Sequence, residues 1–129
     1  MLPLVHRCLA FAADTDARVV ALHVTPLACT DGATPACADC IAATHARLER
    51  AARILEEVAG TGRALGVQCD CMVLTGAQPW EVIVQAAISR HADLICMGSH
   101  GRHGVAEQVL ASQAQRVLEH TQLPVLLFR

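Results

Sequence analysis

Asp93-Leu94-Ile95-Cys96-Met97-Gly98-Ser99-His100-Gly101-Arg102-His103-Gly104, with Ala111-Ser112 further on, decides how the rest of the chain is read. Leu94 to Met97 form an unbroken apolar run. A short run of this kind predicts a strand buried on both faces, as in a parallel sheet. Gly98, Gly101 and Gly104 follow at three-residue spacing. Lacking side chains, they let the backbone turn tightly and approach a guest closely. Beyond an amphipathic arm, Arg102 to Leu110, Ser112 has Gln115 three positions later. That spacing has the form of a helix N-cap with its capping box. A glycine-rich turn leaving a parallel strand beside a helix start suits an anion, above all a phosphate. Free N–H groups and the positive end of the helix dipole converge there. By reach, Gly98, Ser99, His100 and Gly101 would offer backbone N–H groups to phosphates. The Ser112 hydroxyl and the Gln113 amide would meet a phosphate at the helix start. No Gly-Lys-Ser/Thr follows the glycines, so the loop differs from a Walker loop.

Working outward, Leu2 to Ala13 reads as a helix with Pro3 in its first turn and Leu2, Val5, Leu9 and Ala12 on one stripe. Val19 to Val24 reads as a buried strand. Pro26 to Asp39 is the main loop, rich in Pro, Gly, Thr and Asp. Ile41 to Leu65 is the longest predicted helix, loosened at Gly60 and Gly62. Its core stripe is Leu48, Ala52, Leu55 and Ala59, widened by Ile54 and Val58. Gly66 suits a C-cap. Val67 to Leu74 alternates, with Val67, Cys69, Cys71 and Val73 on one face, as in a half-exposed edge strand. Pro79 opens a helix that turns Trp80, Ile83, Val84 and Ala87 inward. Trp80 reads as a core anchor; stacking on a base is the alternative. Ala92 to Met97 is the buried strand, Ser112 to His120 the last helix, and Val125 to Phe128 the final strand. This order predicts a three-layer α/β sandwich around one parallel sheet with right-handed crossovers.

At 129 residues the chain is one domain with a real core. It is 53% hydrophobic but only 2% aromatic, so Ala, Val, Leu and Ile build that core. A net charge of −2 without a basic stripe gives nucleic-acid binding little support. No apolar run approaches a membrane span, and His6 and Arg7 interrupt any signal-peptide reading. Seven cysteines, an odd number placed mostly inside predicted elements, fit a reduced cytoplasmic protein that uses thiols as small hydrophobes.

The span Asp93 to Gly101, nine residues, then Ala111-Ser112 resembles the nucleotide-binding signature of the universal stress protein family, Gly-x2-Gly, nine residues, Gly, Ser or Thr. The ending, Val117-Leu118-Glu119-His120 and Leu123-Pro124-Val125-Leu126-Leu127, is similar to that family's closing helix and strand. The resemblance implies a Rossmann-like fold of the adenine nucleotide alpha hydrolase type. It implies ATP or a related nucleotide as ligand, with Val24 and Met97 near adenine or ribose. It also implies a homodimer paired through Val125, Leu126, Leu127 and Phe128, and a stress-response module rather than a dedicated catalyst. The chain departs from the pattern at Ala111, where the family has its third glycine. It also opens with the helix that should follow a strand. The family's opening strand is central in its sheet and ends in an Asp that helps hold the nucleotide. Neither has a counterpart here. The expectation is a start codon placed too far downstream, because losing a central strand exposes two rows of unpaired backbone groups; a truly short chain is the alternative.

Other chemistry is sparser. Cys37-x2-Cys40 with His45 and Cys29 could ligate zinc, but a single Cys-x2-Cys without a second pair is a weak signal. A redox use of Cys37 and Cys40 would need them directly after a strand. His100 and His103 lie near the expected phosphates without an acidic pair or metal ligands beside them, so any ATP hydrolysis would be incidental. The competing readings are an interaction module of the same fold acting through its dimer surface, and a metal or thiol sensor.

Overall fold

The chain alternates helix and strand from end to end: α1 (Leu2–Asp14), β1 (Val19–Thr25), α2 (Ala38–Ala64), β2 (Cys69–Thr75), α3 (Pro79–Ser89), β3 (Ile95–Gly98), α4 (Gly104–His120) and β4 (Val125–Phe128). The computed structural model describes the backbone of residues 2–25, 38–98 and 104–128, and the side chains of 3–25, 41–98 and 112–128. All strand pairing among these residues is parallel, as the βαβ order requires. In place of the expected single sheet there are two sheets of two strands, β1–β2 and β3–β4. Val19 pairs with Cys69 through to Thr25 with Thr75, and Ile95 pairs with Val125 through to Gly98 with Phe128. Each strand therefore has one hydrogen-bonded neighbour among the described residues. Helices, not backbone ladders, join the two pairs.

Two cores follow from this division. Leu9, Ala12, Val58 and Val67 form the first, with Val19, Ala21 and Cys69 packed against them from the strands. Val84, Ile95 and Val117 form the second, with Trp80, Ile83, Ala87, Met97, Leu123 and Val125 around them. So α1 and α2 cover one face and α3 and α4 the other, which gives the three layers. On α1, Val5, Leu9 and Ala12 lie in or against the core as the periodicity predicts. On α2 the buried stripe is Ala51, Leu55 and Val58, while Leu48 and Ala52 face outward. Both stripes have helical spacing, and only the position of the sheet chooses between them. The α2 helix runs unbroken through Gly60 and Gly62.

Helices α1, α2 and α3 end in the same way. Ala17 N–H reaches Ala12 O, Val67 N–H reaches Gly62 O, and Ala92 N–H reaches Ala87 O. These are the long bonds of Schellman motifs, which need a left-handed residue just past the helix. Gly66 supplies it at φ 72°, Asp16 at 54° and His91 at 53°.

Three expectations need correction. β2 begins at Cys69, because Val67 is taken up in the α2 cap and buried in the first core. β3 is not buried on both faces: Ile95 is buried, whereas Cys96 is exposed. The last helix starts at Gly104, not Ser112, so the expected arm and helix are one continuous element. Val105, Val109 and Leu110 keep helical spacing with Ala114 and Val117, so the apolar period alone carries the helix past Ser112.

Candidate functional site

In an open parallel α/β sheet, ligands bind beyond the carboxyl ends of the strands. Here those ends are Val24-Thr25, Leu74-Thr75, Met97-Gly98 and Leu127-Phe128. Thr25 is buried and shares a hydroxyl–hydroxyl hydrogen bond of 2.9 Å with Thr75. Gly76 N–H donates to Thr25 O at 3.1 Å, closing the first pair's edge. A Cβ added at Gly76 would collide with Val82 Cγ2, so a side chain there would require Val82 to move. The charged cluster sits at the opposite, amino end: Arg18 and Arg90 donate to the Asp70 carboxylate at 2.7 and 3.2 Å.

Val24 lies one residue before the end of β1, and Met97 one residue before the end of β3. The Met97 side chain packs in the second core, so it has only backbone to offer a ligand. Gly98 is buried and closes β3 opposite Phe128. Ser99, His100 and Gly101, and the Arg102-His103 that follow, lie outside the described residues. The helix N-terminus after this loop is at Gly104, six residues past Gly98.

Ser112 is exposed and lies eight residues into α4, about 12 Å along the axis from the helix start. Its expected place as a helix N-cap meeting the same phosphate as the first-turn amides is therefore corrected. Gln113, expected to offer its amide there, is inside the helix, where backbone N–H groups bond the preceding turn. Its side chain has other work. Gln113 Oε1 accepts from Trp80 N–H at 2.8 Å, satisfying a donor at the start of α3 that Gln78 leaves uncapped. Nothing in the linear sequence pairs positions 80 and 113. The Trp80 ring lies 4.2 Å from the His120 ring. Its Nε1, like His23 Nδ1, is buried without a hydrogen-bond partner among the described residues. Burial also pushes the His23 pKa below its usual 6.5.

Of the residues proposed for zinc, Cys29 and Cys37 lie outside the described residues, and so does the Cys40 side chain. His45 is exposed, 3.9 Å from Glu49. Among the described residues no group of three or more His, Cys, Asp or Glu side chains is placed to hold a metal. An open groove of about 520 Å³ runs along α3 from the carboxyl end of β2, between Leu74 and Ser89. No helix among the described residues is long and apolar enough to cross a membrane.

Parallel strand pairs under helices on both faces, with a buried glycine closing β3 just before a helix start, define a Rossmann-like α/β protein. The chain belongs to the universal stress protein family, whose model matches residues 2–129. It is 44% identical over 84 residues to a universal stress protein encoded beside a QAH/OAS sulfhydrylase in Thermus aquaticus, covering 64% of this chain and 58% of that one. The matched segment is thus under two thirds of the Thermus protein's length. A crystal structure from the family in Burkholderia pseudomallei superposes with TM-score 0.75 at 27% identity, covering 97% of this chain and 83% of that chain. The universal stress protein of Archaeoglobus fulgidus, solved in complex with dAMP, superposes with TM-score 0.61 at 22% identity, covering 97% of this chain and 87% of that one. The last likeness carries the fold alone.

Proposed function

We propose that this chain is a cytoplasmic stress-response module that binds ATP or a related adenine nucleotide beyond the carboxyl ends of β1 and β3. The observation that carries the reading is Gly98: buried, without a side chain, and closing β3 six residues ahead of a helix N-terminus. A phosphate there meets backbone N–H groups of the Gly98–Gly101 loop and the positive end of α4. Val24 and the Met97 backbone flank the adenine or ribose. Ser112, on the exposed flank of α4, contacts the nucleotide only if the ligand extends along the helix, and Gln113 serves α3 instead. A relative solved with dAMP supports an adenine nucleotide as the ligand class. The outer edge of β4, which has β3 as its strand partner, supports a homodimer through Val125–Phe128.

Titration of the whole protein with a fluorescent ATP analogue tests this. Saturable binding, displaced by unlabelled ATP and lost in Gly98→Val, is expected. A folded protein that gives no saturable signal leaves the interaction-module reading, in which the dimer surface alone is functional. Size-exclusion chromatography with light scattering checks the dimer, expected to dissociate when Leu127 becomes Lys.

A further inference from the structure

The two strand pairs leave a gap in the middle layer, and the directions of the ladder bonds define its walls. Along a parallel strand, alternate residues turn their N–H and C=O groups to opposite sides. Val19 N–H donates to Gln68 O, and Thr25 O accepts from Gly76 N–H, so residues 19, 21, 23 and 25 face β2. Val20, Leu22 and Val24 therefore direct their backbone groups to the other side of β1. On β3, Ile95 N–H donates to Pro124 O, so Ile95 and Met97 face β4 and Cys96 faces away from it. Neither of these outward edges has a strand partner among the described residues.

The helices set the two edges opposite each other. Helix α3 follows β2 yet lies over β1, and it packs beside α4, which lies over β3. A right-handed crossover along that path makes β1 and β3 the inner strands. On the other face α1 reaches both ladders. Its Leu9 shares a core with Val19 and Ala21, and its Arg7 lies over the Phe128 ring, 5.2 Å from the centroid. Helices thus span the gap on both faces, while the sheet between them is interrupted. A central strand under two helical layers is normally buried on both sides. Here Val20 and Cys96 are exposed, and Leu22 and Val24 only half-buried.

We propose that the inner edges of β1 and β3 form a strand-receiving slot that takes up an extended apolar segment of another polypeptide. Each wall offers main-chain donors and acceptors, and an extended backbone satisfies both walls at once. Leu9, Ala12 and Val58 form the core on one face, and Val84 and Val117 on the other. An occupant therefore needs apolar side chains in both of its alternating sets. A second copy of this chain has no such segment to give among its described strands, since each already belongs to a ladder.

Hydrogen exchange followed by NMR on the whole protein tests the proposal. The probe is a synthetic peptide with the β1 sequence, valine in place of its histidine, and lysines at both ends for solubility. In the free protein the amides of Val20, Leu22, Val24 and Cys96 should exchange at least about tenfold faster than those of Ala21, His23 and Met97, which face ladder partners. The peptide should bind one to one and slow exchange at the inner-edge amides by about tenfold or more. It should also slow alkylation of Cys96 and leave that of Cys71, exposed on β2, unchanged. The same peptide N-methylated on alternate residues keeps its apolar side chains but loses the donors of one edge, and should bind at least about tenfold more weakly. Inner-edge amides already protected in the free protein, no peptide binding, or binding that leaves those amides unprotected overturns the proposal. So does equal binding of the methylated peptide, or protection that grows with protein concentration alone, which would make a second copy the occupant.

Discussion

The most constrained side chains are small and apolar. Leu9 is 2% exposed and sits where α1 meets α2 and β1. Leu9→Ala leaves a cavity that surrounding helices fill only in part, so a loss of about 2–5 kcal/mol is expected in urea denaturation. The same change at Leu48, 43% exposed, should cost under about 1 kcal/mol. Gln113 was read as a ligand group and is a tertiary helix cap. Gln113→Ala removes the acceptor for Trp80 N–H and should cost about 1 kcal/mol. A cost near zero in thermal denaturation would mean that water replaces that acceptor. Composition foretold the apolar core. The 80–113 hydrogen bond was beyond reach because it joins residues on different helices.

The three Schellman ends test backbone chemistry within one protein. Gly66 occupies the left-handed region without penalty, whereas His91 bears a Cβ there, a cost of roughly 1 kcal/mol. Gly66→Ala is therefore expected to destabilise by about 1 kcal/mol. His91→Gly should gain up to about 1 kcal/mol, net of the flexibility it adds to the unfolded chain. Chemical denaturation of the two variants beside wild type decides the signs. Element identity was legible throughout, since apolar period distinguishes a strand from a helix. Element limits were less so. The Ser112-x2-Gln115 spacing has the form of a cap, yet α4 runs through it from Gly104. A capping motif works only where the preceding residues are not themselves helical.

Acid stability belongs to the molecule as a whole. His23 is lowered by burial, so below pH 6.5 the unfolded chain binds a proton that the folded one refuses. Its contribution is complete above 6.5 and disappears as pH falls through the lower folded value. Asp70, held below 3.8 chiefly by its hydrogen bond from Arg18 and by that guanidinium's charge, acts in the same direction at lower pH. Its contribution is present above 3.8 and lost below, and it is small because the group is exposed and salt screens it. The Tm should fall in two stages on acidification, one beginning below 6.5 and one below 3.8. His23→Gln should abolish the first stage, and an unchanged first stage would assign it to another histidine.

Taken alone, the sequence determined the order and type of the elements, the parallel α/β class, and the family, through one glycine-spaced signature after an apolar run. These are encoded locally, by periodicity, glycine placement and a short motif. Only the tertiary structure decided that the strands pair as two separate ladders, that Gln113 caps α3, and which α2 stripe is buried. Each of these depends on which surfaces come together across the two cores, and residues far apart in a chain carry no mark of the neighbour that folding gives them.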